Sequence, residues 1–405
     1  MSRIVLGVSG GIAAYKACEV LRRLREDSHE VTVVPTVNAL RFVGETTFAA
    51  LSGRAVATDV FSGADQIPHV RLGREADLVL VVPATADLIA RQAAGRADDL
   101  LTNVLLTATC PVLVCPAMHT EMWQNAATRA NVSTLRSRGV VVLDPASGRL
   151  AGPDSGVGRL PDPEEIVIIA QTLLAADFAS AAAGRDLSGV SVVVSAGGTH
   201  EALDPVRFIG NASSGRMGVE IARAASLRGA RVTLVAAHLE VPVPSSVEVR
   251  RVVSTADLAA AMTETAADAD VVVMAAAPAD FTPSERSASK IKKSGAEGIT
   301  LNLVQTTDVL AGLADARRPG QTIVGFAAET IGDESALVAA GMSKLARKGA
   351  DLLVVNDVSD GKVFAMPENS VVIVDAAGVR ARVTASKAVV AHRILDAVLH
   401  HRATH

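Results

Sequence analysis

The feature that most constrains the fold is a regular alternation between short apolar runs and longer stretches of helical periodicity. In the first part of the chain the apolar runs are Arg3–Val8, Val31–Val34, Leu78–Val82, Val112–Cys115 and Val140–Leu143, and helical patterns such as Ala13–Arg25 and Thr85–Ala94 lie between them. Continuous apolar character is typical of parallel strands that are buried on both faces. The pattern therefore predicts a doubly wound parallel sheet with helices on both sides.

The same alternation restarts in the second half of the chain. Its strand-length runs are Val190–Val194, Arg231–Val235, Val271–Ala275, Ile323–Phe326 and Leu352–Val355, followed by a hairpin of Ser370–Asp375 and Val379–Val383 and by a helix at Ser386–Leu399. A length of 405 residues exceeds one typical core. We therefore predict an α/β protein with two doubly wound, mostly parallel-sheet domains, residues 1–178 and 190–405, joined by a small-residue linker at 179–189.

One stretch interrupts the pattern. Residues Pro145–Pro163 are rich in Gly, Pro, Ser and Asp and show no periodicity, and a helix is predicted after them at Pro163–Ala175. We expect a long loop here, and a loop of this length inside a compact domain is usually functional or mobile.

Composition narrows the classes of function. The formal net charge of −4 gives no general attraction to nucleic acid or to an anionic membrane. The three cysteines, Cys18, Cys110 and Cys115, are too few for a disulfide framework and are predicted to be core residues of a protein in a reducing compartment. With no signal-peptide pattern and no apolar run of bilayer length, we expect a cytoplasmic protein with no nucleic-acid or membrane partner.

A glycine-rich turn follows the first predicted strand, at Gly7-Val8-Ser9-Gly10-Gly11-Ile12. Such a turn lets the backbone approach a ligand closely, and the helix that begins there offers free N–H groups to an anion. The dinucleotide pattern GxGxxG is not met, and the second strand ends in Pro35-Thr36 rather than an acidic residue. Thr36 suits a mononucleotide phosphate, and the alternative is an ordinary strand–helix turn.

Three further motifs follow at predicted strand ends or just ahead of a strand. They are the isolated His69, the run Pro83-Ala84-Thr85-Ala86-Asp87, and the run from Pro116 to Trp123. Ligands of open α/β sheets dock at the carboxyl ends of strands. The alternatives are a solvated loop histidine, and a helix start with Thr120 as N-cap and Trp123 packed inward.

In this order the four motifs resemble those of the flavin-dependent cysteine decarboxylases, which have a Gly-Gly-Ile turn, a catalytic histidine, a Pro-Ala-Thr/Ser-Ala flavin loop and a Pro-x-Met-Asn-x-x-Met motif. The resemblance implies that His69 is the base in the oxidation of the substrate thiol. It places Met118, His119 and Ala151 at the decarboxylase substrate. It also implies an FMN cofactor, held by Gly10, Gly11, Ile12, Thr36, Pro83, Ala84 and Thr85.

Two positions depart from the pattern of this family. His119 stands where the decarboxylase motif has the Asn that orients the substrate carboxylate, and the stretch matching the family's flap has no cysteine to donate a proton, with Ala151 nearest in alignment. Asp154, Ser155 or water remain open as donors.

The second half of the chain has its own set of polar strand ends. Ser195-Ala196-Gly197-Gly198-Thr199 follows a predicted strand, and Ser213, Ser214 and Gly215 open a predicted helix. Hydroxyls and N–H groups at such a turn favour an anion. Cations follow at Lys290-Ile291-Lys292-Lys293 and at Lys344 and Lys348, which are one helical turn apart. A solvated loop and an exposed helix face are the alternatives for these lysines, and there is no Walker A pattern.

These motifs resemble phosphopantothenate–cysteine ligase, and the whole chain is similar to the bacterial bifunctional phosphopantothenoylcysteine decarboxylase/phosphopantothenate–cysteine ligases of coenzyme A biosynthesis. The resemblance implies CTP with Mg²⁺ or Mn²⁺ and an acyl-cytidylate intermediate. Lys290 and Asn211 are the implied catalytic residues. His200 departs from the ligase motif, which has Arg at this position. The implied CTP-binding residues are Met274, Ala275, Ala276, Asp280, Lys290, Thr306, Thr307, Asp308, Val309, Phe326, Lys344 and Lys348. The implied phosphopantothenate-binding residues are Arg207, Asn211, Ser213, Ser214 and Gly215.

The expected partners are therefore small molecules: 4′-phosphopantothenate, cysteine and CTP. By analogy with the family we expect a homo-oligomer, with trimeric decarboxylase domains, dimeric ligase domains and a dodecamer overall. The metal ligands are not indicated by the sequence. Alternative functions are a flavin-binding regulatory subunit or degenerate decarboxylase, an NAD(P)-dependent oxidoreductase with two Rossmann domains, and a non-catalytic nucleotide-binding protein.

Overall fold

The chain divides into two compact units in the computed structural model. Unit 1 is Met1–Asp186 and unit 2 is Leu187–His405. The structure describes residues 1–59, 68–150, 154–175, 178–292, 299–357 and 368–404. The predicted linker at 179–189 includes a short helix, Ala179–Gly184, and the division between the units falls after it.

Unit 1 alternates strands and helices along the chain. Its elements are β1 (Arg3–Val8), α1 (Tyr15–Glu26), β2 (Glu30–Pro35), α2 (Glu45–Ser52), α3 (Pro68–Glu75), β3 (Leu78–Ala84), α4 (Ala86–Ala93), α5 (Leu100–Thr107), β4 (Val112–Pro116), α6 (Thr120–Gln124), α7 (Ala126–Ser137), β5 (Val141–Val142), β6 (Ala146–Arg149), β7 (Ser155–Arg159), α8 (Pro163–Ala175) and α9 (Ala179–Gly184), with 3₁₀ turns at Ile12–Ala14 and Ala39–Arg41. The main sheet is parallel, with the order β2-β1-β3-β4-β5.

The apolar runs explain why this sheet is buried. Every residue of β3 and β4 is buried. Val79, Val81 and Val114 pack in one cluster with Leu101 of α5 and Leu135 of α7. The strand order reverses between β1 and β3, and this switch point opens a crevice beyond the carboxyl ends of the two strands.

The prediction of a long loop at Pro145–Pro163 is wrong, because β6 and β7 form an antiparallel hairpin there. Its glycines serve close packing rather than flexibility. A Cβ at Gly156 would lie 2.2 Å from Thr120 Oγ1, and one at Gly158 would lie 2.1 Å from the carbonyl oxygen of Met118. The Met118 N–H also donates to the Gly158 carbonyl at 3.0 Å. The hairpin is therefore anchored on the segment that leads into α6.

The prediction that the three cysteines are core residues is confirmed for Cys115 alone. It is fully buried, and burial raises the pKa of its thiol. Cys18 and Cys110 are half-buried, so they lie at the margin of the core. All three are free thiols.

Unit 2 repeats the architecture with a larger sheet. Its elements are β8 (Ser191–Ala196), β9 (His200–Ala202), β10 (Phe208–Gly210), α10 (Arg216–Leu227), β11 (Arg231–Ala236), β12 (Glu248–Arg251), α11 (Thr255–Ala266), β13 (Val271–Met274), β14 (Phe281–Pro283), β15 (Leu303–Gln305), α12 (Val309–Asp315), β16 (Thr322–Glu329), α13 (Glu334–Lys348), β17 (Leu352–Asp357), β18 (Glu368–Asp375), β19 (Gly378–Ser386) and α14 (Lys387–Thr404).

The large sheet has the order β12-β11-β8-β13-β16-β17-β18-β19. The first six strands are parallel, and the predicted hairpin β18–β19 continues the sheet in antiparallel fashion. Alternate residues of β8 serve the two faces: Val194 packs with Ile394 of α14, and Val193 packs with Leu258 of α11. The switch point lies between β8 and β13. The predicted fold class, two doubly wound domains with mostly parallel sheets, is confirmed.

No helix in the described part of the chain is long and apolar enough to cross a membrane.

Close packing of α10 on β8 gives a stability prediction. A Cβ at Gly218 would lie 2.7 Å from both the Ser195 carbonyl oxygen and the Ala196 Cβ, whereas one at Gly312, in α12, would meet nothing within 4 Å. We expect Gly218→Ala to lower the stability of unit 2 by about 1–3 kcal/mol through overpacking. The control Gly312→Ala should be neutral or stabilising, because alanine favours a helix. Calorimetric unfolding of the full chain, with hydrogen exchange across α10, measures the difference. Equal melting of the two variants would contradict the packing argument.

Candidate functional sites

The switch point of unit 1 is built around Ser9, at the end of β1. Its N–H and its hydroxyl both donate to the Pro83 carbonyl, at 3.2 and 2.8 Å, and its hydroxyl accepts the Thr85 N–H at 2.9 Å. A Cβ at Gly10 would lie 2.4 Å from the Cβ of Asn38. Three turns, those after β1, β2 and β3, therefore meet closely.

These turns enclose a cavity of about 570 Å³, here called the unit 1 crevice. It is lined by Ser9, Gly10, Thr36, Val37, Asn38, Thr85, Ala86, Asp87, Arg91, Arg96, Asp98, Asp99 and Met122. Gly10, Thr36 and Thr85 were predicted as cofactor-binding residues, and the structure brings them together here. Pro83 and Ala84 lie in the buried end of β3.

The charged wall of the unit 1 crevice was missed by sequence reasoning. Arg91 donates to Asp98 and Asp99 at 2.8 Å each and to Asp87 at 3.1 Å. Burial lowers the pKa of Arg91, but the hydrogen bonds to Asp99 and Asp98 outweigh it and the pKa stays above its usual range. Asp99 and Thr102 form a capping box at the start of α5, with Thr102 at the position where the usual sequence signature has Glu or Gln.

A second cavity of unit 1, of about 310 Å³, is here called the basic cavity. Gly11, Ile12, Met118 and His119 line it, so it gathers the rest of the predicted glycine turn and two of the predicted substrate residues. The alternative interpretation, with Thr120 as the N-cap of α6, is wrong, because α6 begins at Thr120 and His119 is the N-cap residue. Trp123 is buried, as predicted. Ala151 lies outside the described residues.

His69 lies in the first turn of α3 rather than in a loop. Its carbonyl accepts the Thr107 hydroxyl at 2.8 Å. Its Nδ1 is buried and has no hydrogen-bond partner among the described residues. His69 lines neither the unit 1 crevice nor the basic cavity. The two described cavities of unit 1 therefore contain predicted cofactor residues but not the predicted base.

A cavity of about 490 Å³ lies beyond the switch point of unit 2 and is here called the unit 2 cavity. It contains most of the predicted nucleotide residues. The predicted residues that line it are Asn211, Met274, Ala276, Asp280, Thr306, Thr307, Asp308, Val309, Phe326, Lys344 and Lys348. Ala277, Pro278, Ala279, Phe281, Gln305, Leu310 and Ala328 complete the lining, and sequence reasoning did not single them out for it.

Short contacts fix the inner wall of the unit 2 cavity. Ser195 Oγ accepts the Ala276 N–H at 3.1 Å, which ties β8 to the turn after β13. Asn211 Nδ2 donates to the Pro278 carbonyl at 2.8 Å, and the Thr306 hydroxyl donates to the Ala279 carbonyl at 2.6 Å. Three separate chain segments thus converge on one surface.

Each lysine of the unit 2 cavity is paired with a carboxylate. Lys344 Nζ lies 3.1 Å from Glu329 Oε1, and Lys348 contacts Asp308, the N-cap of α12. Burial raises the pKa of the Asp308 carboxyl, but the hydrogen bond from Lys348 outweighs it, so that the pKa lies below its usual value. The alternative of two lysines on an exposed helix face is wrong, because both line the cavity.

The predicted phosphate turn lies beside this cavity rather than in its lining. Gly215 is the N-cap of α10 with a φ of 74°, and its N–H donates to Ser213 Oγ at 3.3 Å. A Cβ at Gly198 would lie 2.5 Å from the Asn211 carbonyl oxygen. The glycine turn after β8 and the serine turn before α10 are therefore in contact. Ser213, Ser214 and Ala275 are absent from the described lining.

Lys290 is exposed and does not line the described cavity. The next residue, Ile291, donates its N–H to Asp204 at 3.1 Å and accepts from Arg207 at 2.9 Å. Burial raises the pKa of Asp204, but hydrogen bonds from the Val206, Arg207 and Ile291 N–H groups outweigh it and the pKa is lowered. The segment that carries Lys290 is thus tied to the predicted substrate residue Arg207.

No group of three or more His, Cys, Asp or Glu side chains is placed to hold a metal ion among the residues that the structure describes.

The comparisons with known proteins define the class. Residues 1–174 match the Flavoprotein family, and residues 187–401 match the family described as DNA/pantothenate metabolism flavoprotein C-terminal domain. The chain is thus a flavoprotein domain followed by a domain of the second family.

Curated relatives identify the family of the whole chain. The coenzyme A biosynthesis bifunctional protein CoaBC of Mycobacterium tuberculosis is 54% identical over 405 residues, covering 98% of this chain and 96% of the relative. The protein of the same name from Mycolicibacterium smegmatis is 53% identical, covering 98% and 97%. That from Vibrio vulnificus is 38% identical, with the same coverage. The chain therefore belongs to the family of coenzyme A biosynthesis bifunctional proteins.

The chain is accordingly a bifunctional enzyme that acts on small molecules, with a decarboxylase activity in its flavoprotein domain and a ligase activity in its second domain. The predicted family and the predicted enzyme class are confirmed. The alternatives of a regulatory subunit, a nicotinamide-dependent oxidoreductase and a non-catalytic nucleotide-binding protein are set aside.

Proposed function

We propose that unit 2 joins cysteine to 4′-phosphopantothenate with CTP, through an acyl-cytidylate, and that unit 1 then decarboxylates the product to 4′-phosphopantetheine with FMN. The observation that carries the proposal is the unit 2 cavity, in which Asn211, the strand-end turn Met274–Asp280 and two lysines meet. A carboxylate is a poor electrophile, so it must be activated before an amine can attack it. The proposal also rests on membership of the family.

The acyl-transfer step is assigned to Asn211. Its amide donates to the Pro278 carbonyl at 2.8 Å, and an amide group has a second N–H that can donate to the activated carbonyl. Such a donor stabilises negative charge on the carbonyl oxygen as cysteine attacks. Ser213, Ser214 and Gly215 are proposed to hold the phosphate of 4′-phosphopantothenate, with Arg207 beside them.

CTP is proposed to bind on Met274, Ala275, Ala276, Asp280, Thr306, Thr307, Asp308, Val309, Phe326, Lys344 and Lys348. The two lysines can remain paired with Glu329 and Asp308 while they bind CTP, because an ammonium group has three hydrogens to donate. Mg²⁺ or Mn²⁺ would enter with the nucleotide on its phosphates. Lys290 would approach those phosphates from its exposed segment and stabilise their charge.

The fit of unit 1 to FMN is supported by its strand order. In doubly wound sheets of the order 2-1-3-4-5, ligands bind at the switch point between the first and third strands, and flavodoxin binds FMN there. The Gly10 turn has no room for a Cβ, and Thr36 and Thr85 place hydroxyls in the crevice. FMN would be held by Gly10, Gly11, Ile12, Thr36, Pro83, Ala84 and Thr85. When bound, FMN supplies the reversible two-electron oxidation that makes loss of CO₂ favourable.

His69 is proposed to take the proton of the substrate thiol. Its Nδ1 has no described partner, and it lines neither cavity of its own chain. We therefore propose that another copy of the chain brings its crevice to His69, in a trimer of decarboxylase domains. Dimeric ligase domains would extend this to a dodecamer. Met118, His119 and Ala151 are proposed to face the substrate.

Product analysis tests the two proposed reactions together. Purified protein incubated with 4′-phosphopantothenate, cysteine and CTP should be yellow, release pyrophosphate and yield 4′-phosphopantetheine by mass spectrometry. Accumulation of 4′-phosphopantothenoylcysteine would agree with the proposed ligase reaction and contradict the proposed decarboxylase reaction. A colourless protein that cannot be reconstituted with FMN would contradict the cofactor. Equal turnover with ATP in place of CTP would contradict the nucleotide.

A further inference from the structure

The basic cavity of unit 1 has a strongly one-sided charge. Four basic side chains from separate elements line it: Lys16 of α1, His119 before α6, Arg149 of β6 and Arg159 of β7. No aspartate or glutamate is among the described residues that line it. A cavity lined by one sign of charge concentrates ligands of the opposite sign. The cavity therefore suits an anionic group of the substrate, such as a carboxylate.

The cations of this cavity are close enough to repel one another. Burial lowers the pKa of Lys16, and the charge of Arg159 lowers it further, while Asp162 and Glu19 act in the opposite direction. Arg159 also contacts Asp162 at 3.2 Å, and its Nε is buried without a hydrogen-bond partner among the described residues. A bound carboxylate would relieve this repulsion.

The His119 side chain does not cap the helix that it precedes. It is half-buried at the N-cap of α6, and it makes no side-chain capping hydrogen bond. The hairpin β6–β7 contacts Met118, the residue before His119, because the Met118 N–H donates to the Gly158 carbonyl at 3.0 Å. The imidazole is thus positioned at the cavity by its backbone, and its ring nitrogens are available to a ligand.

We propose that His119 is a catalytic acid of the decarboxylase and delivers a proton to the carbon that has lost CO₂. The proposal rests on the proposed decarboxylase function of unit 1. Among the described residues of the cavity, the other proton-bearing groups are Lys16, Tyr15, Arg149 and Arg159. Histidine alone among these types ordinarily exchanges its proton between about pH 5 and 8.

The step balances without any change of oxidation state. After CO₂ leaves, the substrate is an enethiolate, with negative charge shared between sulfur and the carbon that carried the carboxylate. An N–H bond of the His119 imidazolium breaks and a C–H bond forms at that carbon, so that the enethiolate becomes a thioaldehyde. The subsequent hydride is the one that the decarboxylase reaction already supplies. The neutral imidazole regains its proton from solvent, since the side chain is partly exposed.

His119 can interact first with the substrate carboxylate and then with the negatively charged carbon that remains after CO₂ is lost. While the carboxylate is present, the imidazolium can donate a hydrogen bond to it, and a charge-assisted hydrogen bond is about twice as strong as a neutral one. Once CO₂ has left, the same N–H can donate its proton to the carbon atom to which the carboxylate was attached.

The test is His119→Asn in the flavin-loaded full chain supplied with 4′-phosphopantothenoylcysteine. Asparagine can still donate to the carboxylate but cannot deliver a proton. We expect CO₂ release within about tenfold of wild type, while reduced product falls by about 10²-fold or more, the usual contribution of a general acid. Mass spectrometry should then find the enethiol, two mass units below 4′-phosphopantetheine. Full reduction by this variant would overturn the proposal.

A pH series separates an acid from a merely structural residue. Catalysis by a general acid makes the reduced fraction of the product fall as pH rises in wild type, and His119→Asn should lack that dependence. The charged groups that line the cavity with His119 are Lys16, Arg149 and Arg159, and Asp162 and Glu19 interact electrostatically with Lys16. In flavin-free protein, adding the substrate should shift the His119 ring-proton NMR signal. A pH dependence kept by the variant, or an unmoved NMR signal, would overturn the proposal.

Three further outcomes of these experiments would each give a clear answer. If His119→Asn releases no CO₂, the enethiol is supplied directly to the chemically reduced holoenzyme, and normal reduction by the variant would overturn the assignment. If Tyr15→Phe rather than His119→Asn accumulates enethiol, the tyrosine is the acid and the proposal fails. Wild-type protein that releases no CO₂ would refute the decarboxylase function itself, and the acid assignment would fall with it.

Discussion

Replacing His69 with asparagine should abolish CO₂ release and leave CTP-dependent ligation unchanged. Asparagine resembles histidine in size and hydrogen bonding but cannot take up a proton, and loss of a general base costs about 10²–10⁴-fold. His69 lies in α3 of unit 1, whereas the proposed ligase residues are all in unit 2. Release of labelled CO₂ from 4′-phosphopantothenoylcysteine and release of pyrophosphate from CTP measure the two activities on one preparation.

His29→Asn is the matched control for this variant. His29 lies between α1 and β2, burial lowers its pKa, and it lines neither described cavity of unit 1. It should keep both activities. Equal loss of CO₂ and pyrophosphate release in His69→Asn would contradict separate sites, and unchanged CO₂ release would contradict the role of His69. Unchanged flavin absorbance and melting temperature would show that the substituted protein is still assembled.

The main strands could be predicted because burial on both faces leaves a local signal in the sequence. The run Leu78–Val82 is apolar throughout, and the structure extends it only to Ala84. The hairpin β18–β19 was equally visible, because the Ala-Ala-Gly turn separates two apolar runs. In both cases the residues that decide the structure are neighbours in sequence.

The small antiparallel strands could not be predicted, because their pairing depends on distant contacts. The hairpin β6–β7 consists largely of Ser, Gly and Arg, and its glycines are required by Met118 and Thr120, more than thirty residues away in sequence. Strands β9 and β10 pair only three residues each, between a glycine turn and a polar segment. Neither hairpin has an apolar alternation that a sequence pattern could reveal.

The candidate sites were partly predictable for a related reason. Parallel strands end at one edge of the sheet, so Met274, Ala276 and Phe326, at the ends of two predicted strands, were expected to lie together, and all three line the unit 2 cavity. The carboxylate partners of the lysines were not foreseen. Glu329 and Lys344 are 15 residues apart, and Asp308 and Lys348 are 40 apart. Side-chain geometry, not sequence spacing, decides those pairs.

Lys290 lies on an exposed segment of unit 2. Its ammonium group is outside the described cavity, yet the backbone next to it is fixed by Asp204 and Arg207. A cation on an exposed segment with one anchored neighbour can reach a ligand that the cavity presents. The Lys290 ammonium group would then contact the phosphates only once CTP is bound.

Replacing Lys290 with glutamine should therefore block pyrophosphate release from CTP and spare CO₂ release. Removing one donor that stabilises developing charge costs about 10²–10³-fold. Glutamine keeps a polar side chain of similar length and loses only the charge. Release of pyrophosphate from CTP and 4′-phosphopantothenate in the absence of cysteine measures the activation step alone. The loss should appear mainly in kcat rather than KM, because the charge is most needed as the phosphates separate.

The control is Lys292→Gln, two residues along the same exposed segment. It removes the same charge from nearly the same place, so it reports the effect of general electrostatic attraction to CTP, which salt screens. If the two variants lose activity equally, and added salt weakens the wild type to the same level, Lys290 acts only through the field of the segment. If Lys290→Gln alone fails while CO₂ release is intact, its ammonium group meets the phosphates directly. Full activity in Lys290→Gln would mean that activation relies on Asn211, the cavity lysines and the metal, and that the lysine outside the described cavity has no part in it.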